Sequence, residues 1–159
     1  MNHLIAILQQ NAKTPHEDIA RQLDLSVEEV ASRIAELEKN GTILGYRAIV
    51  NREKLEPDTV VAEIEVKITP ERDGGFDRVA QRIARFDEVK SCYLMSGAYD
   101  LQIVVEAPSL RAVATFVAEK LSTIEAVQST ATLFRLKTYK EKGVFFTLEP
   151  SPTRLSVTP

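Results

Sequence analysis

A hydroxyl residue followed three positions later by a glutamate occurs twice near the start of the chain, as Thr14 with Glu17 and as Ser26 with Glu29. Each spacing is that of a capping box. The hydroxyl accepts from a backbone N–H of the first helical turn, and the glutamate reaches back to the N–H of the capping residue. Pro15 directly follows Thr14, where a helix has no acceptor for the missing N–H anyway. The spacing therefore predicts a short helix over residues 15–23 and a second over 27–40, with Asp24-Leu25-Ser26 leaving room for a tight turn. The second helix carries Val27, Val30, Ile34 and Leu37 on one face. Two helices joined this closely read as a helix-turn-helix, whose second helix enters the major groove of DNA.

Ahead of this pair, Leu4, Ile5, Ile7 and Leu8 lie at helical spacing and Asn11 closes a further short helix. Gly41 can take the left-handed conformation that ends the longest of the three. Three helices of this size bury little and are marginal alone. Residues 42–50 read as an extended segment, and Glu56-Pro57-Asp58 breaks the pattern before a second unit.

From Thr59 the period changes from helical to two. Val60, Ala62, Ile64, Val66 and Ile68 alternate with Val61, Glu63, Glu65 and Lys67, as in a half-buried strand. Asp73 is placed to cap a helix with Phe76, Val79, Ala80 and Ile83 inward. Strands over 89–96 and 100–107 follow, joined at Gly97-Ala98-Tyr99. A helix opened by Pro108-Ser109 comes next, with Leu110, Val113, Ala114, Val117 and Leu121 inward, and then a last strand over 126–139. Strand, helix, strand, strand, helix, strand is the ferredoxin-like order. The expected fold class is α+β, with an N-terminal, winged-helix-like helix-turn-helix domain and then a ferredoxin-like βαββαβ domain with an antiparallel sheet. The divisions are 1–41 for the first domain, 42–58 for a linker, 59–142 for the second domain and 143–159 for a proline-rich tail. Apolar residues of both parities on the outer strands (Tyr93, Met95, Cys92 and Leu94; Leu133, Phe134 and Leu136) leave the uncovered sheet face apolar. A homodimer through that face is the economical way to cover it.

The chain of 159 residues has a net charge of −3, and no apolar run approaches a membrane span. No secretory signal is visible, and the lone Cys92 fits a reducing cytoplasm. With only His3 and His16 as imidazoles, a zinc site is not expected, and no motif calls for a cofactor or a catalytic group. No histidine lies beyond His16 to activate Cys92, which reads as a packed strand residue. Residues 1–55 hold seven basic and eight acidic groups, so phosphate affinity must come from placement or from several copies acting together.

The strings Ile19-Ala20 through Leu25-Ser26, Val30 to Arg33, Leu37-Glu38-Lys39-Asn40-Gly41, Ile43-Leu44-Gly45-Tyr46 and Gly97-Ala98-Tyr99-Asp100, with Lys137 near the end of the last strand, carry a resemblance. Up to about Phe146 the chain resembles the Lrp/AsnC (feast/famine) family of transcription regulators. The resemblance implies that the second domain drives dimerisation and higher assembly; with the apolar sheet face, a tetramer or octamer is expected. It also implies that a small effector, often an amino acid, binds between neighbouring dimers. Some tetrapyrrole decarboxylases resemble the same two-domain family, but their chemistry leans on histidines and tryptophan-containing segments, and this chain has no Trp and no His after His16. A third reading is an effector-sensing assembly with weakened DNA binding.

For double-stranded DNA, the candidate contacts are Ser26, Glu28, Ser32 and Arg33 on the recognition helix, with Arg47 and Arg52 beyond it for phosphate. Glu29 reads as a cap more than as a base contact. For the effector, the candidates are Gly97, Ala98, Tyr99 and Asp100: a carboxylate beside exposed amides suits the two charged ends of a free amino acid. Thr130 and Thr132, on one face of the last strand, are candidates for the same pocket.

Overall fold

The computed structural model describes residues 3–55, 58–70 and 75–146. The chain divides into two compact units between Ala48 and Ile49, inside the stretch read as linker. The capping role expected of Asp73 and the tail from 147 onward lie outside the described residues.

The first unit holds α1 (His3–Gln10), α2 (His16–Leu23) and α3 (Val27–Lys39). Leu4, Leu8, Ile19, Ala20, Val30 and Ile34 form its buried core, with Ile7, Leu23, Leu25, Leu37 and Ile43 packed around them. The turn between α2 and α3 is made by Asp24 at φ +54, and its N–H and that of Leu25 both donate to the Ala20 carbonyl. Aspartate tolerates this left-handed geometry better than most residues. Past α3, Gly41 at φ +75 reverses the chain, and the Ile43 N–H donates to Leu37 O at 2.9 Å. This folds Ile43 back onto the core. Residues 42–50 pair with no strand, so the winged character expected of this unit has no sheet among the described residues.

The two capping boxes have different outcomes. At α3 the box is complete: the Glu29 N–H donates to Ser26 Oγ at 3.1 Å, and the Ser26 N–H to Glu29 Oε2 at 2.8 Å. At α2 it is absent. The helix starts one residue later than expected, Pro15 occupies the capping position, and no side chain caps it. The Thr14 hydroxyl instead donates to Asn11 O at 2.7 Å, closing the turn after α1.

The second unit has a short helix α4 (Arg52–Leu55) and then β1 (Val60–Ile68), α5 (Asp77–Ala84), β2 (Val89–Leu94), β3 (Leu101–Ala107), α6 (Leu110–Phe116) and β4 (Val127–Phe134). The sheet order β2-β3-β1-β4 is antiparallel throughout, as the ferredoxin-like reading requires. Ala62, Ile64, Val66 and Ile68 of β1 and Leu101, Ile103, Val105 and Ala107 of β3 pack against Val79 and Ile83 of α5 and Val113 and Phe116 of α6. Cys92 packs against the same core, where burial raises its thiol pKa.

Two details of the helix after β3 depart from expectation. Leu110 and Ala114 point outward and Phe116 is buried instead. A π-helical turn follows over Val117–Leu121; its extra residue shifts the phase there, so that the buried Phe116 and Leu121 stand five positions apart. The last strand also stops at Phe134 rather than Tyr139. A hairpin of β5 (Lys140–Glu141) and β6 (Val144–Phe145) follows, turning through Lys142 and Gly143, both at positive φ, as a two-residue hairpin loop demands.

Directly opposed residues in a sheet share a face. Leu94 opposes Leu101 and Phe134 opposes Ala62, so both belong to the helix-covered side and are exposed only because they end edge strands. The open face is therefore mixed rather than apolar. Tyr93 and Leu133 are exposed near its edges. Its centre is polar, where Gln102 Nε2 donates to Glu63 Oε2 at 3.1 Å and Arg135 meets Glu63 Oε1 at 2.9 Å.

Candidate nucleic-acid interface and effector hairpin

Helix α3 presents its polar side to solvent because Val30 and Ile34 anchor the opposite side in the core. Ser26, Glu28, Glu29, Ser32 and Arg33 are all exposed. Glu28 and Ser32 stack one turn apart, as do Glu29 and Arg33. The Glu29 carboxyl lies below its ordinary pKa, chiefly through the Ser26 N–H, with the Ser26 hydroxyl and Arg33 adding to it. Glu29 is thus occupied as a cap, and Arg33 offers its guanidinium outward beside it. Arg47 is exposed in the same unit. Tyr46 donates its hydroxyl to Glu38 Oε1 at 3.0 Å, tying the residues after α3 back to its last turn. Arg52 falls in the second unit and meets Glu106 Oε2 at 3.0 Å. That pairing competes with the phosphate role expected of it.

The second site is the connection between β2 and β3. Gly97 and Ala98 are exposed, while Tyr99 and Asp100 are half-buried. The loop is closed by the Met95 N–H donating to Asp100 O at 2.8 Å. The Asp100 N–H in turn donates to Val66 O at 3.1 Å. Its carboxylate reaches sideways to β1: Oδ2 accepts from the Ile68 N–H at 2.9 Å, and Oδ1 meets Lys67 Nζ at 3.0 Å. The backbone bond to Ile68, then Lys67, holds the Asp100 carboxyl below the usual carboxylate range. Asp100 thus anchors the hairpin, a role the sequence did not disclose. Gly97 has open space where a Cβ would stand, with no heavy atom within 4 Å.

Thr130 opposes Val66 and Thr132 opposes Ile64. Both therefore face the helix side of the sheet, whereas Lys67, of the other parity, faces the open side. Within one chain the threonines and Lys67 stand on opposite faces. Lys67 itself was missed from the sequence, since only strand register shows that it meets the residue after Tyr99.

The family model of the AsnC-type helix-turn-helix domain matches residues 2–38, and that of the Lrp/AsnC ligand binding domain matches residues 61–145. The chain belongs to the Lrp/AsnC family. It is 44% identical over 157 residues to the uncharacterized HTH-type transcriptional regulator YugG of Bacillus subtilis, covering 98% of this chain and 95% of that one. Among solved structures, E. coli AsnC superposes with a TM-score of 0.68 at 26% identity, covering 89% of this chain and 93% of the other. The transcriptional regulator NMB0573 of Neisseria meningitidis, solved as a complex with L-Met, gives 0.70 at 25% identity, with 87% and 88% covered. Lrp/AsnC membership makes this chain a helix-turn-helix transcription regulator with a ligand-binding second domain. The matched stretches contain α3 up to Glu38 and the residue 97–100 hairpin, the two sites built above. Among the described residues, no helix is long and apolar enough to cross a membrane.

Proposed function

We propose that this regulator binds DNA through α3 in several copies at once and that a free amino acid, held at the residue 97–100 hairpin, controls how those copies assemble. It acts in the cytoplasm and performs no catalysis. Ser26, Glu28, Ser32 and Arg33 meet the major groove, with Arg33 reading a base edge, Arg47 on phosphate and Arg52 a lesser contributor because Glu106 engages it. Gly97, Ala98 and Tyr99 form the effector loop on the Asp100 anchor. Thr130 and Thr132, on the other side of the sheet, enter the pocket from a neighbouring copy. The assembly is a homodimer through the open sheet face that builds to a tetramer or octamer.

The observation that carries this reading is that the chain joins a capped α3 with an exposed polar side to a ligand-binding domain whose β2–β3 hairpin is bonded to β1. Its test is an electrophoretic shift on the DNA upstream of the chain's own reading frame, with and without amino acids. Arg33→Ala should weaken specific binding by about 1–3 kcal/mol, the worth of a bidentate base contact. Unchanged affinity would remove Arg33 from the interface. The exposed Glu28, Glu29 and Glu36 favour one competing reading, an effector-sensing assembly with little DNA binding. A chain that binds an amino acid and assembles, yet shifts no DNA at low salt, would establish that reading instead.

A further inference from the structure

The two oxygens of Asp100 do different work. Oδ2 is committed to the backbone of Ile68, whereas Oδ1 meets a side-chain ammonium, Lys67 Nζ, at 3.0 Å. The pair lies at the rim of the hairpin, with Lys67 39% and Asp100 16% exposed. The lysine is well placed to stay there. It is the last residue before the register shift that separates Lys67 from Ile68 on β1, and the Ile68–Asp100 bond pins the strand at that point. Two basic groups of this unit pair with carboxylates elsewhere, Arg135 with Glu63 and Glu141 and Lys120 with Glu88.

A solvent-accessible ion pair is a template for a zwitterion. The ammonium of an α-amino acid can lie beside the carboxylate of the pair and its carboxylate beside the lysine, so that each charge meets two of opposite sign. A ligand with only one of those charges gains one such contact and places nothing against the other. The amides near Gly97 and Ala98 can add neutral donors but cannot supply a countercharge.

We propose that Lys67 is the carboxylate-recognising residue of the effector site, and that the Lys67–Asp100 pair makes the site select free α-amino acids over their amides and N-acylated forms. This rests on the assignment of effector binding to the residue 97–100 hairpin.

The experiment uses the full chain. Thermal shift across the twenty proteinogenic amino acids selects the strongest stabiliser. Calorimetric titration then compares that amino acid, its carboxamide and its N-acetyl form on the native chain, Lys67→Met and Lys67→Arg. The native chain should prefer the free acid to the amide by about tenfold or more, the worth of a hydrogen bond to a charged group. Lys67→Met should lose that preference while binding the amide within about twofold of the native value, and Lys67→Arg should keep it. An amide bound by the native chain as tightly as the free acid overturns the proposal without any variant. So does a Lys67→Met variant that weakens acid and amide together, which marks Lys67 as only a prop for Asp100. A Lys67→Met variant that binds the free acid at native strength overturns the role of Lys67 and leaves the hairpin assignment standing. If no amino acid binds the native chain, the effector assignment fails and the proposal with it.

Discussion

Ser26 is asked to do two things, and two substitutions separate them. Its hydroxyl accepts the Glu29 N–H at 3.1 Å while its own N–H donates to Glu29 Oε2 at 2.8 Å. On the proposed reading that hydroxyl also meets DNA, exchanging its interaction with the Glu29 carboxylate for a phosphate oxygen. Ser26→Ala removes the acceptor and leaves the Glu29 N–H to water, since this end of α3 is exposed. The cost should be about 1 kcal/mol of helix stability, which raises the open population of α3 about fivefold. Ser26→Asp keeps a side-chain acceptor at the cap and adds a negative charge at a helix N-terminus, which is favourable by about 0.3–1 kcal/mol. Toward DNA the order reverses. Losing a hydrogen bond to a charged phosphate costs about 1.5–3 kcal/mol, and the aspartate adds repulsion of about 1 kcal/mol or more at 4 Å even at the dielectric of water. Hydrogen exchange of amides 27–39 should therefore rank protection as Asp, Ser, Ala, while DNA affinity ranks Ser, Ala, Asp. A Ser26→Asp chain that binds DNA as well as the native one would take Ser26 away from the phosphates. A Ser26→Ala chain with native protection in α3 would show that the capping box contributes nothing there.

Two further outcomes follow from the hairpin. Because the folded structure depresses the Asp100 pKa, its contribution to stability is complete above the unfolded carboxyl value of about 4 and is lost as pH falls through the lower folded value. Acid titration of thermal stability in the second unit should therefore be flatter for Asp100→Asn than for the native chain below about pH 4; parallel curves would refute the linkage. Gly97→Ala adds a Cβ where no heavy atom lies within 4 Å, so the unfolding midpoint should hold while effector binding drops. Full binding by Gly97→Ala would place the ligand away from that backbone.

The features legible in the sequence were those written in local periodicity. The two-residue alternation of residues 60–68 and 101–107 located the central strands, and Ser26 with Glu29 located α3, because both signals depend only on near neighbours. Thr14 with Glu17 carried the same signal and had another outcome. Pro15 takes the capping position, and the Thr14 hydroxyl donates to Asn11 O instead of accepting from a helix N–H; a local pattern cannot choose between two local partners. Leu110 and Ala114 were misassigned because helical spacing in so short a helix is met by more than one inner face, and the π-helical turn after Phe116 leaves no mark on composition. The hairpin turning at Lys142-Gly143 was divided between the end of the second domain and the tail, because its two strands are only two residues each. The site was least legible where it depends on register. That Asp100 meets Ile68 and Lys67, and that Thr130 and Lys67 face opposite ways, are facts of strand pairing across more than thirty residues of sequence.

The acidity of this chain bears on how such a regulator can work at all. With seven basic and eight acidic groups in residues 1–55, one helix-turn-helix unit has no excess positive charge with which to hold DNA nonspecifically. The usual electrostatic share of affinity grows with the number of phosphates neutralised, and the first unit has few cations to offer, the exposed Lys13, Arg21, Arg33, Lys39 and Arg47. Linking units multiplies those few contacts, because each further contact is made at the high local concentration set by the first. Occupancy of DNA then depends steeply on how many units are joined and in what geometry. A ligand that changes assembly by one small step in the second unit can therefore change DNA occupancy by a large one, without touching α3. A strongly basic first unit would bind alone and blunt that dependence; on the proposed reading the acidic balance keeps DNA binding subordinate to assembly, where the effector would act.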